Sequence, residues 1–204
     1  MVTEKQALAY YKNKERTNQI ILQNIKNKGH IVYGARALNA HFPKHLDKHT
    51  EDWDVFSKTP AQTARRVEQK LDKKYGGDYF KVEPAQHPGT WKVKSTVTSQ
   101  GVADYSQAEG SVPSKKIGGV SYVKLVWVKK QINKTLKDKE SKYRWERDKE
   151  AMQRIKLYEK YMQRKKPTRR RITRPHRRKN RKIMEGTISR LIRTHTKPKW
   201  NILR

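Results

Sequence analysis

Asp52 and Asp54 stand two residues apart in Asp52-Trp53-Asp54-Val55-Phe56, where acidic and apolar residues alternate as in a half-buried strand. Side chains at that spacing leave the same strand face, about 7 Å apart along the backbone, near enough to share a cation. A third acid, Asp104, closes the strand-like run Gly101-Val102-Ala103-Asp104. Three carboxylates on adjacent strands suit metal-assisted phosphoryl transfer. Mg²⁺ takes hard oxygen ligands, and a metal pair stabilises both the attacking and the leaving oxygen. Gly34, at a strand-to-helix turn, lets the backbone approach a phosphate, and the helix N-terminus that follows favours the anion. Plainer readings stand beside these. Asp52 and Asp54 also read as solvated acids on an edge strand, and Asp104 as a turn former before Tyr105-Ser106.

The elements that must position these groups are legible from periodicity. Residues 3–28 read as a helix, with Ala7, Ile20, Ile21, Leu22 and Ile25 near a 3.6 period and Gly29 as its stop. His30-Ile31-Val32-Tyr33 is a short strand ended by Gly34, and residues 35–46 are helical, although Pro43 disfavours the far end. Thr59-Pro60-Ala61-Gln62 opens a helix with a Thr cap and Pro at the first position, and Gly76-Gly77 ends it after Tyr75. Strands are expected at Tyr79–Val82, Thr90–Val97 and Gly101–Tyr105, with Gly110–Gly119 as loop. A helix bears Leu125, Val128, Ile132 and Leu136, and a longer one covers residues 140–165. The expectation is an α/β (α+β) domain with a small mixed sheet flanked by helices. Its parts are an N-terminal helix (1–29), a core (30–120), C-terminal helices (121–163) and a basic arm (164–204).

The order strand, Gly34-Ala35-Arg36, helix, Asp52-x-Asp54, then Asp104 resembles the DNA polymerase β-like nucleotidyltransferase superfamily. Arg144-x-x-Arg147-Asp148 looks like the basic-acidic element that many members carry at a later helix, so the resemblance covers roughly residues 30–160. It implies a nucleotidyltransferase-like fold, with Mg²⁺ held by Asp52, Asp54 and Asp104. It further implies acceptor activation by Asp104, and a nucleoside triphosphate held by Gly34, Ala35, Arg36 and Arg147. Active members usually have Ser after the first Gly, where this chain has Ala35. Without the resemblance, Arg144, Arg147 and Asp148 read as an ordinary helix-surface network.

Charge points to a polyanionic partner. The 204 residues contain 50 Lys and Arg against 19 Asp and Glu, a formal net charge of +31. Hydrophobic residues make up only 33%, so the core is confined to part of the chain. Residues 164–204 hold 17 of the basic residues and one acid, Glu185. Within them Arg169, Arg170, Arg171, Arg177, Arg178, Lys179, Arg181 and Lys182 suit forked contacts to phosphate or an acidic protein surface. Zero Cys excludes disulfides, thiolate metal sites and Cys nucleophiles. No run approaches the ~18 apolar residues of a membrane span. The opening Met1-Val2-Thr3-Glu4-Lys5-Gln6 has no apolar signal core, which gives the expectation of a protein of the cytoplasm, nucleus or a virion that is not secreted.

Two functions of different class follow. In one, the chain is an enzyme that moves a nucleotidyl group onto an acceptor and binds nucleic acid through its arm. In the other, it is a non-catalytic structural component of a large nucleoprotein assembly, such as a virion, minor capsid or ribosome-like particle, that reuses the fold. His41, His45 and His49 fall at i, i+4 and i+8 as a weaker candidate metal set. Trp53, Trp91, Trp127 and Trp145 read as packing residues.

Overall fold

Short apolar runs of period two, separated by glycine-containing turns, form a seven-stranded mixed sheet in the order β3-β4-β5-β2-β1-β7-β6. The computed structural model describes Thr3, Lys5, Leu8 and residues 13–165. Its elements run α1 (Lys14–Lys28), β1 (Ile31–Val32), α2 (Gly34–His41), β2 (Trp53–Phe56), α3 (Pro60–Tyr75), β3 (Phe80–Pro84) and β4 (Thr90–Ser95). Then come β5 (Gly101–Ser106), β6 (Ser114–Ile117), β7 (Val120–Val123), α4 (Leu125–Thr135) and α5 (Trp145–Lys165), with single 3₁₀ turns at Lys44–Leu46 and Lys142–Arg144. β2 pairs with β5, and β1 with β7, in parallel; the remaining pairs are antiparallel. The expected small mixed sheet flanked by helices is present. No helix among the described residues is long and apolar enough to cross a membrane.

Each sheet face has its own chemistry because strand side chains alternate. Val32, Trp53, Val55, Val93, Ala103 and Tyr105 point to one face and pack with Ile21 and Ile25 of α1 and Ala64, Val67 and Leu71 of α3. Fully burying each aliphatic side chain of this set contributes about 1.5–3 kcal/mol. A second, smaller cluster joins Leu38 and Phe42 near α2 to Ile132 of α4 and Ile155 of α5. The other face of β2 and β5 carries Asp54, Phe56, Asp104 and Ser106.

Three local expectations change. The helix at 35–46 stops at His41 before Pro43, and a 3₁₀ turn follows. Thr59 stands at the N-terminus of α3 but its hydroxyl makes no capping bond; Ser57 Oγ instead receives the Thr59 N–H at 3.2 Å and pairs with Thr63 Oγ1 at 2.8 Å. The stretch expected as loop holds β6, joined to β7 by Gly118-Gly119, a two-residue turn with both φ positive (+55° and +84°). Such a turn matches the twist of a hairpin and favours glycine at both positions. Lys115 and Lys116 point outward from this edge strand, as edge protection requires, and so hide its pattern.

Tyr105 is fully buried in the main cluster and its hydroxyl has no hydrogen-bond partner. Deleting an unsatisfied buried hydroxyl removes a desolvation cost. Tyr105→Phe is therefore expected to stabilise the fold by about 1 kcal/mol. Urea unfolding of the two proteins checks this, and a loss of stability would show that the hydroxyl has a partner.

Candidate active site

β2 and β5 lie side by side with Asp54 directly paired to Asp104. Parallel pairing in this register sends both carboxylates to the face opposite Trp53, Val55, Ala103 and Tyr105. Asp52, two residues before Asp54, comes to the same side. All three line a cleft of about 1050 Å³, at the upper end of the ~300–1,000 Å³ usual for small-molecule sites. Its opposite wall is helical and carries Gln131 and Lys134 of α4, Arg144 at the end of the second 3₁₀ turn, and Arg147 and Asp148 at the start of α5.

The backbone of Gly34 lies against the Asp54 side chain. It begins α2 with φ +66°, a left-handed conformation, and a Cβ there would overlap the Asp54 carboxylate. The Tyr33 N–H donates to the Asp54 carbonyl at 2.9 Å, which clamps the turn to β2. No side chain caps α2, so the N–H groups of its first turn keep their bonding capacity beside the acids. Ala35 also lines the cleft but brings only a methyl group.

The electrostatics are those of crowded, partly desolvated carboxylates. Burial, then the charges of Asp52 and Asp104, push the Asp54 carboxyl up to about 7 against the pull of Arg147 and Arg144. Burial also raises Asp104, opposed by Lys92, whose Nζ lies 3.6 Å from Asp104 Oδ2. Asp104 Oδ1 is buried without a hydrogen-bond partner. Asp52 Oδ1 accepts from Thr50 Oγ1 at 3.0 Å. A buried, partnerless carboxylate oxygen beside a carboxyl that holds its proton fits a divalent cation, which would supply the missing positive charge. The carboxylate oxygens of these three residues are not gathered within 4.8 Å of one another, as those of Glu68, Asp72 and Asp78 are; Asp72 Oδ1 of that other group is occupied by the Tyr79 and Phe80 N–H groups.

Arg36 departs from its expected role at a triphosphate. Its guanidinium does not line the cleft. Nε donates to the Asp52 carbonyl at 2.6 Å and Nη2 to the Glu51 carbonyl at 3.0 Å, while the group lies 4.2 Å over the Trp53 ring. These bonds hold the chain as it enters β2, so Arg36 positions Asp52 from behind. On the cleft side, Arg144 Nη2 lies 3.9 Å from Asp148 Oδ1 and its Nε is buried without a partner. Arg147 faces the acids closely enough to lower Asp54.

Several residues of the cleft carried no signal in the sequence. Tyr33 stacks on Phe56 with ring centroids 4.1 Å apart, and Phe56 meets Trp127 edge-on. Tyr33 Oη and Thr90 Oγ1 both bond Ser106 Oγ, at 2.9 and 3.0 Å. Phe56 and Ser106 share the alternation of Asp54 and Asp104, which would have found them once the strands were paired. The histidines do not converge. His41 Nε2 bonds the Val123 carbonyl at 2.8 Å, His45 meets the Tyr161 ring, and His49 lies by Glu51. Arg169, Arg170, Arg171, Arg177, Arg178, Lys179, Arg181 and Lys182 lie outside the described residues.

Among solved structures, the crystal structure of the Megavirus polyadenylate synthase superposes with a TM-score of 0.64 at 19% identity, over 78% of this chain and 33% of that one. The fold is nucleotidyltransferase-like. At this identity the likeness concerns the fold alone, and the chain covers about a third of the synthase's length. Two Helicobacter pylori proteins align less closely. JHP933 gives a TM-score of 0.36 at 17% identity over 67% of this chain and 58% of its own. A candidate nucleotidyltransferase gives 0.39 at 18% over 66% and 59%. Neither of these two carries an argument. No protein-family model and no curated protein matches the chain.

The desolvated Asp54 of β2 makes a pH prediction. A carboxyl raised to about 7 in the folded protein keeps its proton where the unfolded chain has lost it. Its contribution to stability is therefore full only below the ordinary aspartate value, near pH 3, and is lost as the pH rises from about 4 through 7. Asp54→Asn removes that loss. In chelator, the variant should match the parent near pH 3 and exceed it at pH 8 by up to about 4 kcal/mol, at about 1.4 kcal/mol for each tenfold gain in proton affinity on folding. Urea unfolding at both pH values checks this, and equal stability at pH 8 would mean that Asp54 ionises normally.

Proposed function

We propose that this chain is a Mg²⁺-dependent nucleotidyltransferase that moves a nucleotidyl group from a nucleoside triphosphate to a hydroxyl of a nucleic acid. The observation that carries the reading is the in-register placement of Asp54 beside Asp104, with Asp52, facing Arg144 and Arg147 across one cleft. Asp52, Asp54 and Asp104 would hold the cation. When bound, Mg²⁺ neutralises charge that develops on the phosphoryl oxygens. The Gly34-Ala35 turn offers backbone N–H groups to the triphosphate, and Arg147 with Arg144 supplies its counter-charge. The acceptor oxygen attacks the α-phosphorus, the bond to the β-phosphate oxygen breaks, and pyrophosphate leaves. Asp104 receives the proton that the acceptor hydroxyl loses.

Residues 164–204 would supply sequence-independent affinity for the nucleic acid, since Arg clusters without a groove-reading element position a protein and do not specify bases. A second reading, a non-catalytic component of a nucleoprotein assembly, is favoured by Ala35 in place of the hydroxyl that active family members carry and by the excess of positive charge. Both readings share the fold and the polyanionic partner.

Incubation of the full chain with labelled nucleoside triphosphates, a single-stranded oligonucleotide and Mg²⁺ separates them. Extension of the oligonucleotide is expected, and Asp54→Asn or Asp104→Asn should lower it by at least about 100-fold, the scale of one lost electrostatic contact to the transition state. No incorporation, together with no calorimetric heat on titrating Mg²⁺-nucleotide, would assign the chain to the assembly.

A further inference from the structure

The cleft already contains a cation of its own. Lys92 of β4 stands directly opposite Asp104 in the antiparallel pairing of β4 with β5. That register sends both side chains to the cleft face, and Lys92 Nζ lies 3.6 Å from Asp104 Oδ2. The lysine stem is guided there, because Gly101 leaves open the space beside Lys92 Cδ and Cε; a Cβ at that position would sit 3.3 Å from Cδ. Strand register places Lys92 on the Asp104 carboxylate, and Gly101 leaves room for its stem.

We infer that the Lys92 ammonium stands in for one divalent cation at Asp104, so that the Asp52-Asp54-Asp104 site takes a single metal ion when no nucleotide is bound. The inference rests on the metal-dependent reading above and deepens it. Three ionised carboxylates beside one ammonium carry at most two negative charges in excess, before Arg144 and Arg147 across the cleft are counted, so a single divalent ion is enough to neutralise them. A second divalent ion near Asp104 would have to displace Lys92 or sit against it, cation against cation. Asp104 can serve both partners at once. Oδ2 is turned to Lys92, and Oδ1 is buried without a hydrogen-bond partner and remains for the metal shared with Asp54. Lys92 is in this sense a positioning residue: it orients Asp104 and sets how many metal ions the acids accept.

Counting Mn²⁺ bound to the full-length protein by electron paramagnetic resonance, without nucleotide, tests this. The sites that matter are those lost in Asp54→Asn, which removes other acidic groups such as Glu68, Asp72 and Asp78 from the count. One Mn²⁺ is expected for the parent, two for Lys92→Met, and one for Lys92→Arg, which restores the charge. Met keeps a long stem over Gly101; should that variant not fold, Lys92→Gln takes its place with the same expectation. Two ions in the parent, or one in both the parent and the uncharged variant, would overturn the role of Lys92 and leave the metal reading standing. No Asp54-dependent Mn²⁺ in any of the proteins would overturn both.

Discussion

Everything at the site depends on how closely the backbone of Gly34 approaches Asp54. The turn after β1 is drawn against β2 until no side chain fits between them, and the Tyr33 N–H to Asp54 carbonyl bond holds it there. Two consequences follow from that one approach. The Asp54 carboxyl loses water and is pushed up to about 7, and the first turn of α2 is placed beside the acids with its N–H groups uncapped. A group poised between proton and cation thus lies next to an anion-accepting helix end. This is the pairing that a metal-bound triphosphate needs.

The sheet makes the approach tolerable by separating its two faces. One face is sealed by α1 and α3 around Val55 and Tyr105, and it provides the apolar burial that offsets the unfavourable charge on the other. The second cluster, around Ile132 and Ile155, ties the helical wall together so that Arg144 and Arg147 stand across from the acids. Arg36 serves the same end from outside the cleft by fixing the carbonyls that lead into β2. Stability and site chemistry therefore occupy opposite sides of the same strands.

The acids and the turn were legible in the sequence because period-two alternation and a glycine after an apolar run are local signals. The partners of those acids were not. Lys92 meets Asp104 only through the register of β4 on β5, a pairing that no spacing along the chain encodes, and Phe56 and Ser106 share the cleft for the same non-local reason. Arg36 misled because an arginine after the glycine turn looks like a phosphate ligand, whereas the Trp53 ring and three backbone carbonyls draw it to the other side. The β6–β7 hairpin was hidden by Lys115 and Lys116, whose charge belongs to edge protection and interrupts any apolar pattern. The helical C-terminal part was read from its 3.6 periodicity, with α5 beginning at Trp145 instead of near residue 140.

The central claim is that Asp54 is a desolvated carboxyl held in want of a cation. Carbon-13 NMR of the aspartate carboxyl groups, with Asp54 assigned by its loss in Asp54→Asn, reads this directly. The account predicts a midpoint for Asp54 near 7 in chelator and a clear downward shift on adding Mg²⁺. A midpoint in the ordinary aspartate range near 4, unmoved by Mg²⁺, would contradict it.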